Sequence, residues 1–480
     1  MRISTQEQPA PAAVPAGLPA AIGSRAHGRS AWQRALLVYR EPRVLSMLFL
    51  GFSSGLPFYL IFQTLSAWLR QDHIVRATIG MLAWSGLFFP LKFLWAPVVD
   101  RLPLPLLHRW LGRRRSWMLI AQLGIGACLL ALSHSHPAIS LSYVAIAAGS
   151  LAFCAVTQDI SIDAWRIESA PPEEQGAMAA GYQLGYRSAL IVGSAGALGL
   201  AQAIGWQASF TVMASLVVVG LVTTLLVREP HPSPARSSLF AEAHTVAWLE
   251  RRTHWPPALQ HAGATVVGAV VSPLADFLER QGVLSTILLL MLIGSCRLTT
   301  YAMGSMVNPF YIDHHYSLEQ IATIVKGFGL PVSLVGVVIA GSLIVRIGVR
   351  RTLLLGSAVM LISNLSYALL ATTHGPTLLG LTVANSIDNL GQALQGTAFI
   401  ALLSALTSPR YTATQYALFS SFFALTGKLL EGTSGFVVDA IGYPPFFVYT
   451  ASLSLLPLLL IWLLSRRRDL DPHAALLASA

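Results

Sequence analysis

GRRRSWMLIAQLGIGACLLALSHSHPAISLSYVAIAAGSLAFCAVTQDISIDAWRIE, residues 112–168, opens on three arginines, runs through an apolar stretch to a short polar loop, and enters a second apolar stretch that ends in acids and an arginine. A helix needs roughly 20 apolar residues to cross a bilayer. The segment therefore reads as two consecutive transmembrane helices, over 116–135 and 139–165, entered from an arginine-rich side. Working outward in both directions gives ten more such spans, near 44–69, 78–99, 176–203, 206–227, 284–311, 319–345, 351–372, 376–405, 412–437 and 443–464. The 480-residue chain is 54% apolar and 11% charged, which excludes an ordinary soluble domain. The expected fold is all-α and integral to the membrane, with about twelve transmembrane helices and both termini on one side.

The net charge is +10, and its placement argues for membrane topology and against a nucleic-acid partner. Arg25, Arg29, Arg34, Arg40 and Arg43 precede span 1, Arg101, Arg109 and Arg113 to Arg115 fill the loop after span 2, Arg346, Arg350 and Arg351 mark loop 8–9, and Arg466 to Arg468 follow span 12. The opposite loops hold few cations beyond Arg70 and Arg76. The positive-inside rule then places both termini and the central loop in the cytoplasm. The first residues lack the apolar region and cleavage site of a signal peptide and read as a cytoplasmic tail. Cys128, Cys154 and Cys296 all fall inside spans, so no disulfide framework is implied.

Internal similarity divides the chain into a tail (1–43), a six-helix half (44–228), a central cytoplasmic loop (229–283), a second six-helix half (284–465) and a C-terminal tail (466–480). Ile204-Gly205-Trp206 returns as Ile441-Gly442-Tyr443 about 237 residues later. At nearly the same separation Gln158 matches Gln395, Pro172 matches Pro409, and the basic run Arg113 to Arg115 matches Arg350 and Arg351. A common offset for several matches points to two pseudo-symmetric halves with the solute site between them. In the central loop Val266, Val267, Val270, Val271, Leu274, Phe277 and Leu278 follow helical spacing, which suits a helix lying along the membrane surface.

An ionisable group inside a span costs several kcal/mol unless paired or wetted, so each is a functional candidate. They are Lys92, Asp159, Asp163, Arg187, Arg297, Lys326, Asp388, Lys428 and Glu431. The chain has three lysines, all within spans, which suggests a need for compact ammonium groups there; snorkelling from span ends is the plainer reading of Lys92 and Lys326. Counting 1.5 Å per residue, Asp159 lies about 13 Å from the inner end of span 4 and Arg187 roughly 17 Å along span 5, so the two can meet. Such a pair suits proton coupling, with Asp163 one turn nearer the cytoplasm, and equally suits a permanent salt bridge between spans 4 and 5. Asp100, Arg101 and Arg166, with Lys92 and Asp163, suit a cytoplasmic gate or a loop anchor. Gln158, Tyr182, Gln183 and Tyr186, with Asn389, Gln392 and Gln395 from span 10, suit a sugar- or peptide-like solute or ordinary interhelical hydrogen bonds. Asn308 and Tyr311 suit an outer gate. His134, His136, His314 and His315 beside Asp313 read as solvated loop residues, and no metal is expected. Gly193, Gly196 and Gly199 read as helix contacts. No nucleotide loop, serine nucleophile or zinc signature is present, so an enzyme is not expected.

GFSSGLPFYL (51–60) with AWL (67–69), KFLWAPVVDR (92–101), GRRRSW (112–117), TQDISIDAWRIE (157–168) and GYQLGYR (181–187) together resemble the AmpG muropeptide permeases of Gram-negative bacteria, within the peptide/acetyl-coenzyme A/drug transporter family of the major facilitator superfamily. The resemblance implies the major facilitator fold and a proton-driven importer in the inner membrane, without cofactor; a monomer is expected. Its implied solute is N-acetylglucosaminyl-anhydro-N-acetylmuramyl peptide, recovered from cell-wall turnover, and such fragments also govern β-lactamase induction in many bacteria. The second half departs from the pattern. Arg297-Leu298 is followed by Thr299-Thr300 where an acid is usual, and Asp388-Asn389 is followed by Gln392 and Gln395 where small residues are usual. A paralogue carrying a siderophore, an acyl-CoA or a drug is the alternative within the class; a membrane enzyme or a non-transporting sensor lies outside it.

Overall fold

The computed structural model describes residues 40–74, 83–171, 174–230, 243–252, 254–373 and 375–466. Among them, eight helical stretches are long and apolar enough to cross a membrane: Pro42–Gln71 (span 1), Arg113–Ser133 (span 3), Leu141–Ser169 (span 4), Gln175–Ile204 (span 5), Trp206–Leu226 (span 6), Val283–Asp313 (span 7), Glu319–Leu370 and Tyr443–Arg466 (span 12). Glu319–Leu370 is two spans, 8 and 9, folded back at Gly348. Leu378–Leu406 (span 10) and Thr412–Ile441 (span 11) are helices of 29 and 30 residues with more polar residues. Span 2 completes the twelve as a broken rod: short 3-10 and α turns from Ala83 to Leu94, then Ala96–Arg101. Pro90 and Pro97 each remove a backbone donor there, which explains the interruption. The expected start of that span, 78–82, lies outside the described residues.

The repeat seen in the sequence has a conformational counterpart. Gly112 (φ 82°, ψ −177°) before span 3 corresponds to Gly348 (φ 85°, ψ 163°) before span 9. Gly205 (φ 87°, ψ 163°) before span 6 corresponds to Gly442 (φ 78°, ψ 172°) before span 12. This region of backbone space is essentially open to glycine alone. Each half thus turns its helices with the same residue in the same conformation.

Other glycines set how closely helices approach. A Cβ on Gly51 of span 1 would fall on the Tyr182 carbonyl of span 5, and one on Gly185 of span 5 would fall on the Leu48 carbonyl. Spans 1 and 5 therefore cross with backbones in contact, and they carry the polar residues described below. Of the glycines marked in the sequence, Gly193 does lie against Leu56 and Tyr59, whereas a Cβ on Gly199 would meet nothing within 4 Å. Span 5 packs by Gly181 and Gly185 instead. Apolar clusters fill each half: Trp68, Leu129, Leu151 and Phe210 in the first, and Phe310, Tyr367, Phe399 and Phe447 in the second.

In the central segment, Ser272–Gln281 forms a helix anchored by Phe277, 2% exposed and packed on Phe419 of span 11 at 4.9 Å. Leu274 and Leu278 remain exposed.

Gly205→Ala and Gly442→Ala meet no steric neighbour, so their cost is backbone strain alone, about 1–3 kcal/mol each. Thermal melts in detergent should show lowered midpoints for both. Gly199→Ala, in regular helix, should leave the midpoint unchanged or raise it.

Candidate functional site

At the arginine-rich end of the bundle, charged groups of span 2 and span 4 reach the second half. Asp100, 3% exposed, accepts hydrogen bonds from the backbone N–H groups of Ala413 (3.2 Å) and Thr414 (2.8 Å) and from the Thr414 hydroxyl (2.8 Å). These are free donors in the first turn of span 11, and a carboxylate there also meets the positive end of the helix dipole. Arg114, fully buried, lies 2.6 Å from both Asp100 and Glu168. Glu229 accepts from the backbone N–H groups of Arg114 (2.8 Å) and Arg115 (3.1 Å). Burial pushes the Glu229 carboxyl above its ordinary pKa, and those two donors oppose the shift.

A second cluster lies beside it. Asp163 is 3.5 Å from both Lys92 and Arg166. Arg166 donates to Ser404 of span 10 (2.6 Å), and both cations face the Tyr416 ring of span 11, at 5.7 Å for Lys92 and 5.2 Å for Arg166. Lys92 does not snorkel: its side chain is 11% exposed and points at Asp163. Arg101 donates to the Gly268 carbonyl (2.6 Å) and lies over Tyr411. Sequence reading named Asp100, Arg101, Arg166, Asp163 and Lys92 but missed Arg114, Glu168 and Glu229 as their partners. Arg114 had looked like one more loop cation in a basic run.

Deeper between the halves, Ser54 of span 1 donates to Asp159 and shares a 2.7 Å hydrogen bond with Tyr182. Tyr59, Phe58, Tyr182 and Tyr186 form a continuous aromatic wall, with centroids 5.7 to 6.2 Å apart around Tyr186. The expected Asp159–Arg187 pair is not formed. Depth along two helices fixes height but not azimuth: the charged groups that act on Arg187 are Arg297 and Asp388, while those that act on Asp159 are Lys92 and Asp163. Span 7 breaks at Cys296–Arg297, where Arg297 takes φ −115° and ψ 7°, and its guanidinium lies within electrostatic range of Arg187 and Tyr186. Among the described residues neither Arg187 nor Arg297 has a hydrogen-bond or ion-pair partner, and the Arg187 Nε is buried without one. Gly396 of span 10 leaves room between Arg297 and Gln183: a Cβ there would lie 3.4 Å from Gln183 Nε2 and 3.7 Å from Arg297 Nη1.

One helical turn outward from Arg297 and Gly396, a cavity of about 230 Å³ opens within the second half, lined by Thr300, Met303, Gly304, Val307, Tyr311, Val325, Tyr367, Asn385, Asp388, Asn389 and Gln392. Asp388 accepts from Ser363 (3.2 Å) and Gln392 (2.7 Å). Asn389 donates to Asn385, and Tyr311 and Tyr367 bond to each other at 2.8 Å.

Several expected positions lie elsewhere. Gln395, 2% exposed, donates to Ser357 of span 9, because it lies about 60° around span 10 and nearly one turn along from Gln392, enough to face span 9 and not the cavity. Gln158 is fully buried and accepts from Ser53, serving as a link between spans 4 and 1. Asn308 is exposed while Tyr311 is fully buried, so they do not form one outer gate. Lys428 pairs with Glu431 at 2.8 Å with its side chain 64% exposed, and faces Tyr301. The Lys326 side chain lies outside the described residues. His314 is half-buried and packs on Phe310 at 4.3 Å, which corrects its reading as a solvated loop residue. No group of three or more metal-ligating side chains occurs among the described residues.

The family model for the Major Facilitator Superfamily matches residues 47–296 and 290–478. The Anhydromuropeptide permease of Escherichia coli (strain K12) is 32% identical over 428 residues, covering 89% of this chain and 80% of that protein. The chain is an AmpG-type permease of the major facilitator superfamily. A Rickettsia conorii protein named "Putative transporter AmpG 4" is 30% identical over 436 residues, 90% of this chain and 99% of that one. Among solved structures, the proton:xylose symporter XylE matches with a TM-score of 0.61 at 12% identity over 90% and 96% of the two chains. The transporter FucP matches with a TM-score of 0.63 at 11% identity over 89% and 99%. At that identity they establish the fold. In this AmpG-type permease, Asp100 and Arg166 bond from the first half to spans 11 and 10 of the second, and Arg187 and Arg297 come one from each half.

Asp100→Asn removes the charge that Arg114 and the span 11 N-terminus face, leaving a buried cation short of a partner. Ala417, 1% exposed among spans 2, 4 and 11, reports on that contact. With the native cysteines replaced and Cys introduced at Ala417, thiol labelling should accelerate roughly tenfold in Asp100→Asn, equivalent to about 1.4 kcal/mol. Equal labelling in both backgrounds would show that Asp100 does not hold the halves together.

Proposed function

We propose that this AmpG-type permease imports anhydro-muropeptides, a disaccharide bearing a short peptide, across the bacterial inner membrane together with protons. Both termini and the arginine-rich loops then face the cytoplasm, as the charge distribution favours. The carrying observation is the Arg187–Arg297 arrangement. Guanidinium groups stay charged at all relevant pH, and two of them within electrostatic range of each other in a membrane, one from each half, without protein anions bonded to them, are unfavourable unless an anion arrives. The carboxylates of a muropeptide supply it, in bidentate geometry that arginine favours over lysine. The relative named Anhydromuropeptide permease and the aromatic wall of Tyr59, Tyr182 and Tyr186, suited to sugar faces, support the same reading.

Because Arg187 and Arg297 come from opposite halves, an anion bound to both draws the halves together around it. Closure around the solute on the outer side, with release of the Asp100 and Asp163 fastenings on the inner side, gives alternating access. Asp159 is the proton carrier in this reading: it is buried, hydrogen-bonded to neutral Ser54, and free of a direct ion pair among the described residues. A carboxyl so placed exchanges a proton when the cavity wets it from either side.

In proteoliposomes with an imposed inward proton gradient, wild-type protein should accumulate labelled anhydro-disaccharide tripeptide. Arg187→Gln and Arg297→Gln should each cut uptake roughly tenfold or more, the cost of a charge-assisted hydrogen bond of about 1.5–3 kcal/mol. Asp159→Asn should lose gradient-driven accumulation yet retain solute exchange across the membrane. Reconstituted wild-type protein that accumulates no muropeptide would overturn the assignment and favour a paralogue for another solute, with Thr300 and Gln392 in its cavity wall as the distinguishing residues.

A further inference from the structure

The cavity in the second half and the arginine pair beside it have opposite chemistry. The pair offers only donors. In the cavity wall Asn389 Nδ2 is taken up by the Asn385 carbonyl (2.9 Å) and Oδ1 (3.2 Å), and one Gln392 Nε2 hydrogen by Asp388 (2.7 Å). What these side chains leave for a solute is mainly acceptors, Asn389 Oδ1, Gln392 Oε1 and the remaining lone pairs of Asp388, with the second Gln392 N–H as a donor beside them. The Tyr311 and Tyr367 hydroxyls are mutually paired. Met303, Val307 and Val325 complete the wall with apolar surface.

An acceptor-rich wall with apolar patches repels a carboxylate and receives a group that carries hydroxyls, amide N–H groups and C–H faces. A pyranose ring has that character. Size agrees: about 230 Å³ is below the roughly 300–1,000 Å³ of pockets that enclose a whole drug-sized ligand. The cavity holds one ring and leaves the rest of a disaccharide-peptide outside it. Position agrees as well. Thr300 is one turn from Arg297, and Gln392 is one turn from Gly396, which lies beside Arg297. A solute with a ring in the cavity therefore has its remainder next to the arginines.

We propose that this cavity is a saccharide subsite, and that the solute binds with one sugar ring among Asp388, Asn389 and Gln392 and its peptide carboxylates on Arg187 and Arg297. This rests on the muropeptide reading and adds an orientation to it. The departures of the second half acquire a role: Gln392 orders Asp388 and supplies one acceptor, and Thr300 adds a hydroxyl at the rim.

The test is equilibrium binding to purified full-length protein of three probes: the intact anhydro-disaccharide tripeptide, the anhydro-disaccharide without peptide, and the free tripeptide. Asn389→Leu should weaken the peptide-free disaccharide roughly tenfold or more, as expected when a polar site loses its hydrogen bond, and leave the free tripeptide within about twofold. Arg297→Gln should do the reverse. Gly304→Leu gives a second route, because a Cβ at Gly304 meets nothing within 4 Å and the side chain can occlude the cavity without a clash at its base. It should also weaken the disaccharide selectively, with an unchanged thermal midpoint. Disaccharide affinity unaltered in both Asn389→Leu and Gly304→Leu, or loss of both fragments alike in either variant with the fold intact, would overturn the subsite while leaving the muropeptide reading in place. Wild-type protein that binds none of the three probes would overturn both.

Discussion

A bilayer interior does not tolerate a lone charge, and the arrangement of this permease follows from how each intramembrane cation is answered. Arg114 is answered by Asp100 and Glu168, Arg166 by Asp163 and Ser404, and Lys92 by Asp163. All of these lie at the arginine-rich end, where the Arg166–Ser404 bond and the bonds of Asp100 to Ala413 and Thr414 run between the two halves. The same electrostatic demand that makes a buried cation costly thus becomes the force that closes that end. Arg187 and Arg297, deeper in the bundle, are answered by no hydrogen-bonding anion among the described residues, and in the proposed function the solute's carboxylates meet that demand.

Helix irregularity accompanies this division of charge. Span 7 breaks at Arg297, span 5 passes through a wide π-turn at Ile191–Gly196 just beyond Arg187, and span 1 has a matching π-turn at Leu60–Thr64 beside Tyr59. The two π-turns meet where the Thr64 hydroxyl donates to the Gly193 carbonyl at 2.5 Å. Such turns expose backbone groups that regular helix would hide and often sit at functional positions. Here they re-aim the residues that line the space between the halves, while Gly51 and Gly185 hold spans 1 and 5 backbone to backbone. The wall can therefore be polar without loosening the packing behind it.

The bundle was legible in the sequence because the bilayer sets both a length and a composition for each span, and because a glycine-only turn conformation leaves a glycine at each repeat position. Gly205 and Gly442 show this directly. Charged residues at the gate were legible as individuals, since an acid such as Asp100 or Asp163 in an apolar span is conspicuous. Their partners were not: Arg114 is one of three consecutive arginines, and only the fold shows which of them turns inward. The Asp159–Arg187 expectation failed for a related reason. Rise per residue gives depth, but which helix a side chain faces depends on packing angles and on local breaks such as the one at Arg297, and no periodicity records those. Gln392 and Gln395 make the same point, being three residues apart on one helix yet facing a cavity and a neighbouring span respectively.

A double-mutant cycle on binding measures directly whether the arginine pair receives the carboxylates of the solute. One arm replaces Arg297 by Gln; the other replaces the intact anhydro-disaccharide tripeptide by its carboxyl-amidated form. The account predicts that each change alone weakens binding roughly tenfold and that the two together weaken it little further, a coupling of about 1.4 kcal/mol or more between guanidinium and carboxylate. Strictly additive losses, with amidation as costly in Arg297→Gln as in the wild type, would contradict it.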